Sequence, residues 1–288
     1  MRSLAQFVMR GPLQAGGVAV IAMAVPLLFW IGAAVVGLVI LRLGFAKGLG
    51  IALWASLPAL AWSMVGGDPS ALVVLVSVVV MAAILNVTAS WERAILAGCG
   101  VALLVGMALP SMFQQLLEQL VAAGVSFYQE INPETVQQLG DSFEAIVTQA
   151  MIASLAGSYL VLSIALTMLA RSWQAGLYNP GGFQTEFHRF RLSVPVAAGS
   201  LALMFLGPVL GLNPVLVIWV AGVPLLIAGL ALVHGVLKTR NMGAPWVVIF
   251  YLALVLLSPS LPLLLVLLAF VDSWLDFRGK VKPADPAE

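Results

Sequence analysis

Apolar residues run in long blocks along this chain, and polar residues are confined to short gaps between them. A membrane-spanning helix needs about 20 mostly apolar residues. Stretches 49–65, 71–90, 94–110, 148–170, 194–212 and 215–237 fit that pattern. The gaps are turn chemistry or charge: GGDPS at 66–70, WER at 91–93, NP at 213–214 and KTRNMG at 238–243. The pattern predicts an all-α, polytopic transmembrane helix bundle with about six full spans.

The apolar stretches at the two ends, 11–41 and 245–271, are interrupted. Pro26 sits near the centre of the first, and Pro259 and Pro262 sit within LLSPSLPLLL of the second. Proline in a helix removes a hydrogen bond and clashes with the preceding turn. Each end is therefore either one long tilted helix or a hairpin of two short segments. Half-segments of about 12 to 15 residues reach only ~18–22 Å at 1.5 Å per residue, short of the ~30 Å hydrocarbon core. A hairpin of that size is re-entrant or thins the bilayer, and its broken backbone has to be buried in protein.

Segment 111–147 is half-polar. Met112, Phe113, Leu116, Leu117, Leu120 and Val121 recur at helical spacing with Gln and Glu between them, which predicts an amphipathic helix. NPET then offers Asn132 as N-cap, Pro133 at the first helical position and Glu134 in the first turn. A second helix is expected to start there and run into the 148–170 span. The loop 171–193 mixes aromatics, glycines and arginines. Its FHRFR, 187–191, reads as a short basic, aromatic segment at the headgroups. The final KPADPAE, 282–288, reads as a disordered end. The whole of 1–288 is then one membrane domain, with a helical insert at 111–147, a loop at 171–193 and a tail at 272–288.

Composition strengthens this reading. Hydrophobic residues are 62% and charged residues 9% of the chain, and mean hydropathy is +1.08. So few charges cannot clothe a soluble surface, so the lipid bilayer is the solvent. The basic, then apolar opening resembles a signal peptide, but the chain stays apolar to Leu41, and it reads as an uncleaved first membrane segment. A net charge of +1 leaves no nucleic-acid footprint. The lone Cys99 excludes an internal disulfide framework and reads as a small buried or lipid-facing residue.

Charge placement decides between the models for the two ends. With a hairpin at each end, all thirteen Lys and Arg fall on one side of the membrane. The other side holds Asp68, Glu118, Glu130, Glu134, Asp141 and Glu144 and no base. With single spans, the two tails carry five of the thirteen bases across. The positive-inside rule favours hairpins and predicts a bacterial inner-membrane protein with both termini cytoplasmic. Trp274 and Phe277 are then expected at the interface.

No Asp, Glu, Lys or Arg falls inside the six full spans. Ion-coupled carriers usually need such groups, so proton coupling through a membrane carboxylate is not expected. Neither a catalytic motif, a P-loop nor a metal-ligand cluster is visible, and the reading is no enzyme, no cofactor and no metal. His188 and His234 lie far apart in sequence, and His234 reads as bonding a neighbouring helix or headgroup. Small-xxx-small rows at Ala150, Ser154 and Ser158 and at Ala153 and Gly157 suit close helix packing. Uncharged polar and aromatic groups at depth offer a candidate small-solute cavity: Trp54, Trp62, Asn86, Gln149 and Tyr159. At the other extreme, Arg42, Asp272, Trp274, Asp276 and Arg278 form a candidate cytoplasmic motif for a protein partner. Asp272 and Asp276 are four apart and are expected to share a helix face near Arg278.

VDSWLDFRGK, residues 271–280, resembles the C-terminal end of the YybS-like family of bacterial membrane proteins. LRLG at 41–44 and GLNPVLVIWVAGVPLLIAGLALVHGVLKTR at 211–240, with Asn213, His234 and Gly235, are similar to other parts of that family. The family is of unknown function. A more distant likeness is to substrate-capturing subunits of energy-coupling-factor transporters, in which an Ala-x-x-x-Ala row on the first helix docks the coupling subunit. Ala15 and Ala19 have that spacing. The functional expectation is a small-solute-binding or transport-type protein, with the cavity in the bundle roofed by 111–147. The alternative is a structural or assembly protein that holds a partner through its cytoplasmic loops and tail.

Overall fold

The structure is a computed structural model and describes residues 2–280. The terminal KPADPAE, with Lys282, lies outside the described residues. In chain order the helices are α1 (Arg2–Val8), α2 (Pro12–Ala24), α3 (Phe29–Leu43), α4 (Phe45–Val65), α5 (Ser70–Thr88), α6 (Trp91–Met112), α7 (Gln114–Ile131), α8 (Pro133–Leu139), α9 (Ser142–Tyr178), α10 (Gly182–Arg189), α11 (Val194–Leu206), α12 (Pro214–Thr239), α13 (Ala244–Leu256), α14 (Ser260–Leu275) and α15 (Phe277–Lys280). Six segments are long and apolar enough to cross a membrane: Pro26–Leu43, Phe45–Val65, Ser70–Thr88, Trp91–Met112, Ser142–Tyr178 and Pro214–Thr239. The chain is a polytopic all-α membrane bundle.

The N-terminal end is a hairpin whose second arm, Pro26–Leu43, is long enough to span, unlike the short half-segment expected, and the C-terminal end is a sharply broken pair of helices. Pro26 opens a single tight turn over Pro26–Leu28, and α2 and α3 pack side by side across it. A Cβ on Gly32 would sit 2.9 Å from the Ala19 carbonyl oxygen, so this contact depends on having no side chain there. Ala15 and Ala19 are buried inside the bundle by the same packing, which removes the Ala-x-x-x-Ala row from the surface. At the other end α13 and α14 meet at 115°. α14 returns along α12, whereas α13 contributes no buried residue.

Two expectations from the sequence need correction. Stretch 194–212 is not a regular span: α11 stops at Leu206, after about 20 Å of rise. Pro208 has no N–H to continue the ladder, and Gly211 takes a left-handed φ of 80°. Asn132 does cap a helix, with its side chain accepting from the Thr135 N–H at 3.3 Å. That helix does not run into the next span, however, because Gly140 (φ 50°) breaks it and α9 starts afresh at Ser142.

The interior is apolar and small-residue-rich. Gly157 of α9 would place a Cβ 2.6 Å from Trp219 of α12, and Ala153 beside it is fully buried. The Ala153–Gly157 row is therefore a packing seam. Ser154 and Ser158 of the neighbouring row point outward. Pro224 within α12 deprives the Val220 carbonyl of its helical donor. The Cys99 thiol donates to that carbonyl at 3.3 Å. In lipid an orphaned carbonyl costs several kcal/mol, which gives this cysteine a structural role.

Candidate functional site

The helix ends sort by charge. The basic end gathers the C-termini of α3, α5, α9, α12 and α14 with the loops joined to them. Crosslinks that hold it include Trp91 to Glu186, Ser193 to Glu92 and Arg278 to the 188–190 backbone. The opposite, acidic end carries Asp68, Glu118, Glu130, Glu134, Asp141 and Glu144 and, among the described residues, no Lys or Arg.

At the basic end the tail folds back on itself. α14 ends at Leu275 because Asp276 adopts a left-handed φ of 48°. The chain then reverses into the single turn of α15, and Asp272 receives it. One Asp272 carboxylate oxygen accepts from the Phe277 N–H at 2.8 Å and the other from Arg278 at 2.7 Å. The same guanidinium donates to the carbonyls of His188 (2.9 Å) and Phe190 (2.7 Å). Asp272 is 1% exposed. The expected helix face shared by Asp272 and Asp276 is thus not formed, since Asp276 has left the helix and pairs with Arg191 at 3.4 Å. Asp272 and Arg278 are spent on an internal staple, and Trp274, 60% exposed, is left without a partner in that staple.

Arg42 belongs to a different cluster. Its guanidinium lies over the Tyr178 ring, 3.8 Å from the centroid. The adjacent Leu41 carbonyl, left without a helical donor at the end of α3, accepts from Asn86 at 3.2 Å and from Gln174 at 2.7 Å. Arg171 binds Glu186 and Gln174, closing a small hollow of about 270 Å³ with Asn86 on its wall. Asn86→Ala or Gln174→Ala is expected to cost about 1 kcal/mol each. The double variant costs more than the sum, because only then is the Leu41 carbonyl orphaned. Thermal unfolding of the four proteins measures this coupling.

The five residues expected to line one solute cavity do not converge. Trp54 is 67% exposed on the outer face of α4. Trp62 donates to the Ala24 carbonyl at 3.3 Å and ties α4 to α2. Tyr159 shares a 3.0 Å hydrogen bond with Ser70 at the acidic end, whereas Asn86 lies sixteen residues further along α5, about 24 Å away at 1.5 Å per residue. The Gln149 side chain points outward and its carbonyl takes a bond from Asn213 at 3.0 Å.

The larger hollow of the acidic end lies under α7. Leu117 and Val121 form the buried stripe of α7, and with Leu109, Phe143, Val147 and Ile152 they build a small second core. Gly124 lets α7 approach α9 closely, as a Cβ there would meet Met151 at 2.8 Å. Beside this seam a cleft of about 720 Å³ opens between α7 and the start of α9. Its apolar floor is Leu117, Val121 and Val125; Gln114, Glu118, Ser126, Glu144 and Thr148 supply its polar groups. Gln114 donates to Glu118 at 2.7 Å, fixing that carboxylate at the rim. The amphipathic pattern of 111–147 pointed to this helix. Helical periodicity does not show that Gln114 and Glu118, four residues apart beside the apolar stripe, line the mouth of a cleft, where both stay exposed.

Comparison with family models, with curated proteins and with solved structures yields no match.

Proposed function

We propose that this is a small-solute-binding, transport-type membrane protein of the bacterial inner membrane, without enzymatic activity, and that the solute sits in the cleft under α7. The observation that carries this is the cleft: about 720 Å³, within the roughly 300–1,000 Å³ of small-molecule sites, with an apolar floor and a polar rim. Six carboxylates and, among the described residues, no base at this end favour an amphipathic solute with a hydroxyl or cationic head. By the positive-inside rule the basic end faces the cytoplasm, with both termini there, and the cleft opens outside. The resemblance of the tail to the YybS-like family fits this reading and adds no substrate.

The test is native mass spectrometry of the gently purified protein. A stoichiometric non-lipid adduct is expected, and Val121→Trp, which fills the floor of the cleft, is expected to abolish it. Asp272→Asn, far from the cleft, is expected to leave the adduct in place. An adduct unaffected by Val121→Trp overturns the assignment of the cleft.

A second reading is favoured by one observation. α13 contributes no buried residue, and Trp274 beside the basic end is open, as in an assembly protein that holds a partner there. A co-purifying protein released by Trp274→Ala, with no small-molecule adduct, supports that reading instead.

A further inference from the structure

A second hollow, of about 510 Å³, lies at the basic end between α10, α12 and α15. Its wall carries His188, Arg189, Arg191, Lys238 and Arg278, with Asp276 as the single carboxylate. The charges do not cancel. Arg278 is matched by buried Asp272, and Arg191 shares Asp276. Arg189 and Lys238 form no ion pair among the described residues. Gly235 brings these groups together: a Cβ there would fall 2.8 Å from the His188 carbonyl oxygen and 3.1 Å from Cδ of Arg278, so only glycine lets the loop and α15 close on α12. Burial above all, and then the charges of His234 and Lys238, hold His188 below the usual imidazole range. The site crowds positive charge around a concavity and leaves it uncompensated.

We propose that this hollow binds a phosphate-type oxyanion, carried by a phospholipid headgroup or by a soluble phosphorylated solute. Guanidinium and ammonium donors gathered around one concavity are the donor set a phosphate takes, with short charge-assisted hydrogen bonds. Basic hollows between membrane helices are suited to anionic headgroups. The surroundings place this one at the headgroup level. Phe183 and Phe187 of α10 turn toward the bundle, against Trp91 and His234. Exposed Trp274 supplies an interfacial anchor near the tail. The inference is independent of the cleft at the acidic end.

The experiment compares three proteins in nanodiscs: wild type, Arg189→Gln with Lys238→Gln, and Arg93→Gln with Arg240→Gln. The last pair removes the same charge from exposed residues outside the hollow, so it reports the general surface potential. Equal melting temperatures establish that both double variants fold. In one arm, discs of phosphatidylcholine with a minority of phosphatidylglycerol are opened in the mass spectrometer and the lipid retained on the protein is identified. In the other, inorganic phosphate is titrated into pure phosphatidylcholine discs by calorimetry. A headgroup site retains phosphatidylglycerol selectively, and the hollow variant loses that preference by about tenfold or more while the control pair keeps it. A soluble-ligand site shows saturable phosphate binding with the same dependence on Arg189 and Lys238. Neither signal in wild type, or equal loss in the control pair, overturns the proposal.

Discussion

Arg278→Met is expected to lower the melting temperature of the protein by on the order of 10 °C, from a loss of about 3–5 kcal/mol. The size follows from what the substitution strands. Asp272 is 1% exposed and has one cationic partner, at 2.7 Å. Without Arg278 its carboxylate stays buried with a single backbone N–H, that of Phe277. The carbonyls of His188 and Phe190 lose the same guanidinium. Broken buried pairs cost far more than surface pairs, which are worth about 0–1 kcal/mol. Arg191 with Asp276, both partly exposed, is the internal comparison, and Arg191→Met is expected to cost about 1 kcal/mol or less. Asp272→Asn added to Arg278→Met should recover part of the loss, since it removes the stranded charge. Thermal unfolding in nanodiscs gives all four values. If Arg278→Met melts with Arg191→Met, the tail is not stapled as described.

That staple marks where reading the sequence reached its limit. The bundle was legible because lipid imposes a simple rule: every spanning backbone must be satisfied within its own helix, so apolar block length locates five of the six spans. The breaks in the two end stretches were legible from Pro26, Pro259 and Pro262. Stretch 194–212 misled because hydropathy does not register Gly207, Pro208 and Gly211, three residues that end a helix without adding charge. Asp276 misled because helical spacing from Asp272 presumes the helix continues, and its stop is set by a left-handed residue and a receiving loop ninety residues upstream in sequence. The solute cavity misled for a related reason. Trp54 points out of the bundle, and Asn86 and Tyr159 are satisfied locally, by the Leu41 carbonyl and by Ser70. The cleft that does form needs α7 folded back on α9, which the break at Gly140 permits and the bare Cα of Gly124 beside Met151 eases. Sequence periodicity finds α7 and is silent on the partner it packs against.

Gly229→Ala is expected to destabilise the protein by about 3 kcal/mol and to free the tail. Two effects compete at this position. Alanine is the better helix former by up to ~1 kcal/mol, which taken alone predicts a gain. Against it, a Cβ on Gly229 would sit 2.6 Å from the Leu265 carbonyl oxygen and 3.0 Å from its carbonyl carbon. Those atoms are backbone of α14, so no side chain can swing away, and the whole helix has to back off from α12. Overpacking of this kind costs typically ~1–3 kcal/mol and more where backbone moves, so sterics outweigh propensity. Gly100→Ala is the control: it lies in α6 with nothing within 4 Å of its would-be Cβ, and propensity acts there unopposed, so no loss is expected. The consequence for the tail separates this prediction from ordinary destabilisation. α14 carries Asp272 into the basic end, and its retreat undoes the clasp on Arg278. Trypsin is then expected to cut after Arg278 in Gly229→Ala at temperatures well below unfolding, while wild type and Gly100→Ala stay intact there. Equal protection in all three would mean that α14 is held at the basic end by the staple alone, and that its close approach to α12 contributes nothing to placing it.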